Sequence, residues 1–320
     1  MGYNNYMETG EKLGKKPSTV PIEFKDYSFT VSNEPLCSTE QIKEAFAVAR
    51  SRYPELLIGV PEGHPWRDDK IEHETDVKRT GGLIYQQFEG QLSKENFGLL
   101  IFIAGVHDTG RPIQAKKDSG IPVEEEFAET SNHGRYSVIA LEKWGIFKIL
   151  GPKASRVVRF AIETHVSAQT PKLSVNPTEE EKMEVFMATL VRDMDKLGWL
   201  REKPQDYFFK DEYKKKQSMA NKIEGEEGFI NPPSVLETFE AHQPINPKDC
   251  ISYEAHLGLR SLSWIFDINL NAVLGEVVRS RLIQDNYFKY FRQQLPLEES
   301  ERIEKATRAY LATRGFTLEE

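Results

Sequence analysis

The chain has 320 residues and a formal net charge of −8, because 42 lysine and arginine residues face 50 aspartate and glutamate residues. Its hydrophobic content of 39% is enough for a buried core and excludes a disordered chain. The acidic balance argues against a protein whose main task is binding long nucleic acid, since that binding needs a basic face.

Residues 1–36 are predicted to form an irregular N-terminal arm that is partly disordered. The arm lacks the apolar stretch of a secretory signal, and residues 22–31 have the period-two pattern of one short strand or a hairpin. No run of 18 apolar residues occurs, so no membrane span is expected. The chain has only two cysteines, Cys37 and Cys250, which predicts no disulfide framework and a cytoplasmic protein.

Nearly every long segment after the arm has a helical pattern, which predicts an all-α fold. Ser38 precedes a run of helix-forming residues, and residues 297–314 follow Pro296 and stop at Gly315. Residues 99–106 are apolar throughout and fit either a buried strand or a buried helix. Further helices are predicted from apolar stripes over 73–92, 131–148, 153–166 and 178–200.

Two stretches between the helices have the composition of loops. Residues 107–130 are rich in glycine and proline, and residues 201–235 are rich in charge and fit either a linker or an insertion. We expect one domain over 37–320, with its core at about 40–200 and further helices over 232–314. The loop over 109–130 and the segment 201–235 are expected to border the functional site, as long loops often do.

Four of the seven histidines lie on apolar stripes or at the ends of predicted helices. His73 and His165 extend apolar stripes, and His133 begins a helix. His107 and Asp108 follow the apolar run 99–106 directly. Neighbours on a helix point about 100° apart, so a helix has to end at this pair if both side chains are to face one centre.

A further carboxylate follows in the segment 192–198. Asp193 and Asp195 lie at similar angles from the apolar stripe, so periodicity does not choose between them. Imidazole and carboxylate groups suit divalent first-row metals, and ionisable groups that face a core are costly unless something satisfies them. Helices that each contribute one ligand build metal sites in α-helical bundles, so the pattern predicts a metal site.

The order H…HD…H…H…D resembles the HD-domain superfamily of metal-dependent phosphohydrolases over about residues 40–200. The local sequences are similar too, namely HETDVKRTGGLIYQQF, LLIFIAGVHDTGRP, SNHGRYSVIALEKWGI, VVRFAIETHV and VRDMDKLGWL. The resemblance implies an HD-domain helical bundle with additional C-terminal helices, and it makes the apolar run a helix. It places the last ligand just before Lys-Leu, which selects Asp195. The implied metal ligands are His73, His107, Asp108 and Asp195, joined by His133 and His165 in members that hold two ions.

The resemblance implies hydrolysis of a phosphate ester by a metal-activated water. A divalent ion lowers the pKa of bound water from about 16 to about 7. One or two ions are expected, and the sequence does not distinguish Mn, Fe, Co, Mg, Ni and Zn. Asp108 would bridge two ions and orient the water, while Lys196, Arg111 and Arg135 are candidates for binding the phosphate. The expected substrate is a nucleotide or another small phosphate ester, with neither long nucleic acid nor a membrane as partner.

Two alternatives stay open at this point. A minority of HD folds, similar to myo-inositol oxygenase, hold two irons with the same ligand pattern and activate dioxygen on a small molecule. An HD module that binds a nucleotide without turnover is the other alternative. The sequence also leaves open whether the protein forms a homo-oligomer, for which the Trp- and Phe-rich C-terminal helices offer a face.

Overall fold

The described part of the protein is all-α apart from one hairpin, which confirms the predicted fold class. The chain divides into two compact units, Met1–Asp195 and Lys196–Glu320, and the single domain over 37–320 stays a prediction. Among the described helices, none combines the length and the apolar character needed to cross a bilayer. The computed structural model describes residues 19–26, 28–62, 92–130, 132–167, 170–201, 233–246, 249 and 256–319.

The arm contains a short antiparallel hairpin, the second of the two forms predicted for residues 22–31. Strand β1 (Thr19–Glu23) pairs with β2 (Ser28–Ser32), and Val20 lies opposite Val31. Both valines are fully buried, so the hairpin contributes one apolar face to the first unit.

Helix α1 (Thr39–Leu57) begins with a capping box, in which the Ser38 side chain accepts from the Gln41 amide and the Gln41 side chain accepts from the Ser38 amide. The next described helix is α2 (Lys94–Val106), which is buried from Asn96 to its end. Burial on every side explains why the apolar run lacks periodicity, and it resolves the choice between strand and helix. The helix predicted over 73–92 lies outside the described residues except for Leu92.

The loop predicted over 107–130 is wrong in part, because this stretch contains two helices. Helix α3 (Arg111–Asp118) has Pro112 in its first turn, where the missing amide proton costs no hydrogen bond. Proline therefore starts a helix here rather than marking a loop. The second helix is α4 (Glu125–Ala128), a single turn.

The helix predicted over 131–148 is interrupted near its end. Helix α5 (His133–Lys143) stops before Gly145, whose φ of 75° is left-handed, and α6 (Ile146–Thr164) begins after it. Helix α6 has a further kink at Gly151, so the predicted helix 153–166 corresponds to its second part. Helix α7 (Glu179–Arg201) agrees with the prediction over 178–200.

The second unit contains short helices around an aromatic core. Phe239, Phe266 and Tyr310 form edge-on ring contacts with centroids 4.8 and 4.9 Å apart. The last helix agrees with the prediction over 297–314. The α-helices are α8 (Pro233–Glu240), α9 (Asn271–Arg279), α10 (Lys289–Gln294) and α11 (Leu297–Thr313), with π-helical turns at His256–Arg260 and Ile283–Phe288 and shorter turns at Ser261–Ser263 and Trp264–Asp267.

Candidate metal centre

The predicted ligands of the first unit converge from four helices. His107 lies at the C-terminal end of α2, with Asp108 in the turn that follows. His133 is the first residue of α5, and His165 lies at the C-terminal end of α6. Asp195 belongs to α7. His73, the remaining predicted ligand, lies outside the described residues.

The Asp108 carboxylate lies at the middle of this group. Its Oδ1 is 3.2 Å from His133 Nε2 and 3.3 Å from His165 Nε2. Its Oδ2 is 3.6 Å from His107 Nε2. The side chains of Asp108, His107 and His165 are almost entirely buried, so these contacts lie in an interior of low polarity.

Two further contacts complete the cluster. His133 Nε2 is 3.2 Å from His165 Nε2, and His107 Nε2 is 3.4 Å from Asp195 Oδ1. The Asp195 carboxylate is thus in contact with a histidine of the cluster. Ligand atoms of His107, Asp108 and His165 all lie within 4.8 Å of one another, so this buried group could hold a metal ion.

The tautomers of two histidines follow from their backbone contacts. His107 Nδ1 lies 2.8 Å from the Ala104 carbonyl oxygen, and His165 Nδ1 lies 2.6 Å from the Ile162 carbonyl oxygen. A carbonyl only accepts, so Nδ1 carries the proton in the neutral form of each ring. Each Nε2 therefore presents a lone pair to the cluster, the arrangement that metal-binding histidines use.

Burial also favours the neutral form of the His133 and His165 imidazoles. Desolvation lowers the pKa of His165, and it lowers the pKa of His133 to about 3, with the positive charge of Arg111 as the second cause. At pH 7 both rings are consequently unprotonated. Their lone pairs are available to a cation without first releasing a proton.

The donor set and its spacing fit a divalent cation. His165 Nε2 and Asp108 Oδ1 are both acceptors at 3.3 Å, an arrangement that a cation between them would stabilise. Two ligand atoms at about 2.1 Å from an ion, subtending about 90–110°, lie about 3.0–3.4 Å apart. The contacts of 3.2, 3.3 and 3.4 Å within the cluster match this separation.

The three predicted phosphate-binding cations differ in their surroundings. Arg111 adjoins the cluster, with Nε 3.3 Å from Asp108 Oδ1 and Nη1 3.1 Å from the Gln114 side-chain oxygen. The Arg135 guanidinium donates to the Glu163 carboxylate at an exposed position. In the second unit, Lys196 Nζ lies 2.8 Å from the carboxylate of Asp267.

One buried hydroxyl at the cluster was not predicted to act there. The sequence places Ser137 on an apolar stripe, whereas its Oγ accepts from the Gly110 amide at 2.8 Å. The same oxygen lies 2.8 Å from the His107 carbonyl and 3.0 Å from the His133 carbonyl. The available signal is its position one helical turn after His133, on the same face of α5.

Two glycines allow the elements that carry the ligands to approach closely. A Cβ on Gly110 would lie 2.4 Å from the His133 carbonyl oxygen, and one on Gly134 would lie 2.4 Å from the Ile162 carbonyl oxygen. Both neighbours are backbone atoms, which cannot move aside as a side chain can. In the sequence, the signal for this close packing is a glycine next to each of these ligand segments.

No model of a known protein family, no curated protein and no solved structure matches the chain. What the chain itself supplies is a compact, buried set of imidazole and carboxylate ligands at the ends of packed helices. Such a set can bind a cation and, with an adjacent guanidinium, a negatively charged ligand.

Proposed function

We propose that this protein is a metal-dependent phosphohydrolase of the HD superfamily that acts on a nucleotide or another small phosphate ester. The observation that carries the proposal is that five predicted ligands lie together in one cluster with Asp108 at its middle, each from a segment that resembles the superfamily. Ionisable groups are costly to bury, and a cation would give these ligands a common partner. The five ligands are His107, Asp108, His133, His165 and Asp195.

The ligands would divide the task of holding one or two divalent ions. His107, Asp108 and Asp195 form one connected set, and His133 with His165 forms another, with Asp108 in contact with both. A bound divalent ion would supply a water of lowered pKa as nucleophile at neutral pH. The central position of Asp108 suits a carboxylate that bridges the two sets and orients this nucleophile.

Arg111 would bind the phosphate group beside the ligands. Its contacts with Asp108 and Gln114 fix the guanidinium next to the cluster, where its charge stabilises negative oxygens. The burial of the ligands limits competing contacts with water and strengthens these electrostatic interactions. Arg135 and Lys196 stay candidates for the same role.

Replacement of the central carboxylate tests the proposal. We expect Asp108→Asn to lose bound metal and to lower metal-dependent phosphate release by at least about 100-fold, because one ligand and its charge are removed. Metal content would be measured on the purified protein, and phosphate release on a panel of phosphate esters with Mn, Co, Mg and Fe. Asp118→Asn, an exposed change at the end of α3, serves as the matched control.

Three results would contradict the proposal. Equal activity of Asp108→Asn and the unchanged protein would remove the site assignment. Dioxygen consumption without phosphate release would favour a di-iron oxygenase, for which anaerobic assays are the comparison. Metal and nucleotide binding without turnover across the panel would favour a binding module.

A further inference from the structure

Ser137 connects the turn that carries His107 and Asp108 to the helix that begins with His133. We propose that Ser137 is a positioning residue that sets the distance between Asp108 and His133, and thereby the affinity of the centre for metal. This inference rests on the proposed metal site. It goes beyond the site because Ser137 itself contributes no ligand atom.

The hydroxyl contacts the backbone on both sides of Asp108. It accepts from the Gly110 amide at 2.8 Å, and its oxygen lies 2.8 Å from the His107 carbonyl. The first contact fixes the peptide group after Thr109, and the second fixes the peptide group that joins His107 to Asp108. The Asp108 backbone is consequently held at two points by one side chain, which is itself fully buried.

The same hydroxyl also fixes the turn against α5. Ser137 Oγ lies 3.0 Å from the carbonyl oxygen of His133, one helical turn earlier. A hydroxyl has one proton, so it donates to the His107 or the His133 carbonyl while accepting from Gly110. His133 Nε2 and Asp108 Oδ1, the ligand atoms on the two sides of this connection, are 3.2 Å apart.

Loss of the hydroxyl would act on metal affinity more than on folding. Without it, the buried Gly110 amide loses its acceptor, and the turn can move relative to α5. A displacement of a few tenths of an ångström matters little to packing. Coordination bonds, however, are satisfied only within about 0.2 Å of their preferred lengths. Groups that orient ligands typically change metal affinity by about 10–100-fold when they are removed.

Ser137→Ala tests the inference against Ser155→Ala as the matched control. Ser155 is also a buried serine of the first unit, and its hydroxyl donates at 2.7 Å to the carbonyl of Phe147, which lies at the opposite end of α6 from His165. We expect Ser137→Ala to raise the Kd for Mn²⁺, measured by competition with a chelator, by about 10–100-fold. Ser155→Ala should leave this Kd unchanged, although both metal-free variants lose similar thermal stability. Faster hydrogen exchange at the Gly110 amide is expected in Ser137→Ala alone.

The inference is overturned if Ser137→Ala binds Mn²⁺ as tightly as the unchanged protein, or if both serine variants lose affinity equally. If Ser137→Ala does not fold, Ser137→Cys keeps most of the volume with a weaker donor and acceptor, and it should also bind Mn²⁺ less tightly. Binding of Mn²⁺ without phosphate release would remove the proposed function and leave this inference standing. An unchanged protein that binds no metal would overturn both.

Discussion

The imidazole rings of His107 and His165 are oriented in the same way. Each lies at the end of a helix, and each Nδ1 donates to a carbonyl of the preceding turn, at Ala104 and Ile162 respectively. A main-chain acceptor does not titrate, so the tautomer stays fixed over the whole pH range in which the ring is neutral. The two Nε2 atoms are therefore prepared for a cation before one arrives.

Gly110 is the residue at which this arrangement is most sensitive to added volume. Gly110→Ala would place a Cβ 2.4 Å from the His133 carbonyl oxygen and 2.6 Å from the Ser137 amide nitrogen, so the turn and α5 would have to separate. We expect a loss of about 1–3 kcal/mol in the free energy of unfolding together with weaker metal binding. Urea unfolding and chelator competition would measure the two effects.

Gly275→Ala is the comparison for this change. The atoms nearest a Cβ on Gly275 are side-chain atoms of Phe316 and Arg279 at 3.2 and 3.3 Å, which have more freedom to adjust. We expect its cost to be smaller, since alanine also favours the helix that contains it. A Gly110→Ala protein as stable as Gly275→Ala would argue against close packing at the cluster.

At the residue scale, the sequence indicated which residues could bind a metal, but it did not indicate which residues hold them in position. Imidazoles and carboxylates are costly to bury, so their presence at the ends of apolar helices predicts a shared site. His107, Asp108 and His165 could be predicted on this basis. Ser137 gives no such signal, because a serine on an apolar stripe is as compatible with simple core packing as with a role in positioning ligands. Only the distances to Gly110 and His107 reveal its role.

The ends of the helices matter more to this site than their lengths do. His107 directly follows α2, His133 begins α5 and His165 directly follows α6, so three helix ends meet at the cluster. The backbone of a residue at a helix end is held in place by the helix. Its side chain, however, does not have to follow the angular spacing of residues within the helix. This explains how two neighbours in sequence, His107 and Asp108, contribute to one centre.

The break between α5 and α6 depends on one left-handed residue. Gly145 has a φ of 75°, and a Cβ there would meet no atom within 4 Å, so an alanine would be strained by conformation and not by packing. We expect Gly145→Ala to lower the free energy of unfolding by about 1–2 kcal/mol. Gly145→Asn should lose less, because asparagine enters this conformation more readily. Equal stability of the glycine and alanine proteins, measured by urea unfolding, would contradict this.

Helix boundaries show where sequence patterns stop being sufficient. Pro112 predicted a loop, but it lies in the first turn of α3, because proline fits a first turn as well as it fits a loop. The predicted helix 131–148 continued across Gly145, since a single glycine within an apolar pattern does not reveal the sign of its φ. Longer elements with a strong pattern, such as α7 and α11, agreed closely with prediction.

The fold class of the whole molecule followed from composition and helical periodicity. The division of the chain into two compact units did not. Periodicity is a local property, and α7 runs without interruption through residues 195 and 196, where the two compact units meet in sequence. A boundary inside a helix does not interrupt the helical pattern, so periodicity does not reveal it.

Metal binding should stabilise the first unit specifically. At a free Mn²⁺ concentration of 100 times its Kd, the linkage between binding and folding adds about 2.7 kcal/mol. We expect slower hydrogen exchange in α2, α5 and α6, because their ends hold the ligands. The helices α9 to α11 provide an internal comparison. Removal of the ion with a chelator should reverse the effect.

Asp108→Asn provides the control for this measurement, since it removes the central carboxylate. Its exchange rates should not respond to Mn²⁺. Uniform slowing in all helices, or an equal response of Asp108→Asn, would show that the ion acts elsewhere on the protein.

The directions of α2 and α6 have an electrostatic consequence for the order of binding. Each helix presents its carbonyl end to the cluster, and such an end carries roughly half a negative charge. The N-terminal end of α5 carries the opposite partial charge, but two of its amides, those of Gly134 and Arg135, already donate to the Asn132 side chain. Together with the Asp108 and Asp195 carboxylates, these helix ends oppose a phosphate at the centre more strongly than the single positive charge of Arg111 attracts one. Under the proposed function, a bound divalent ion would offset this negative charge, so we expect the phosphate to bind after the ion.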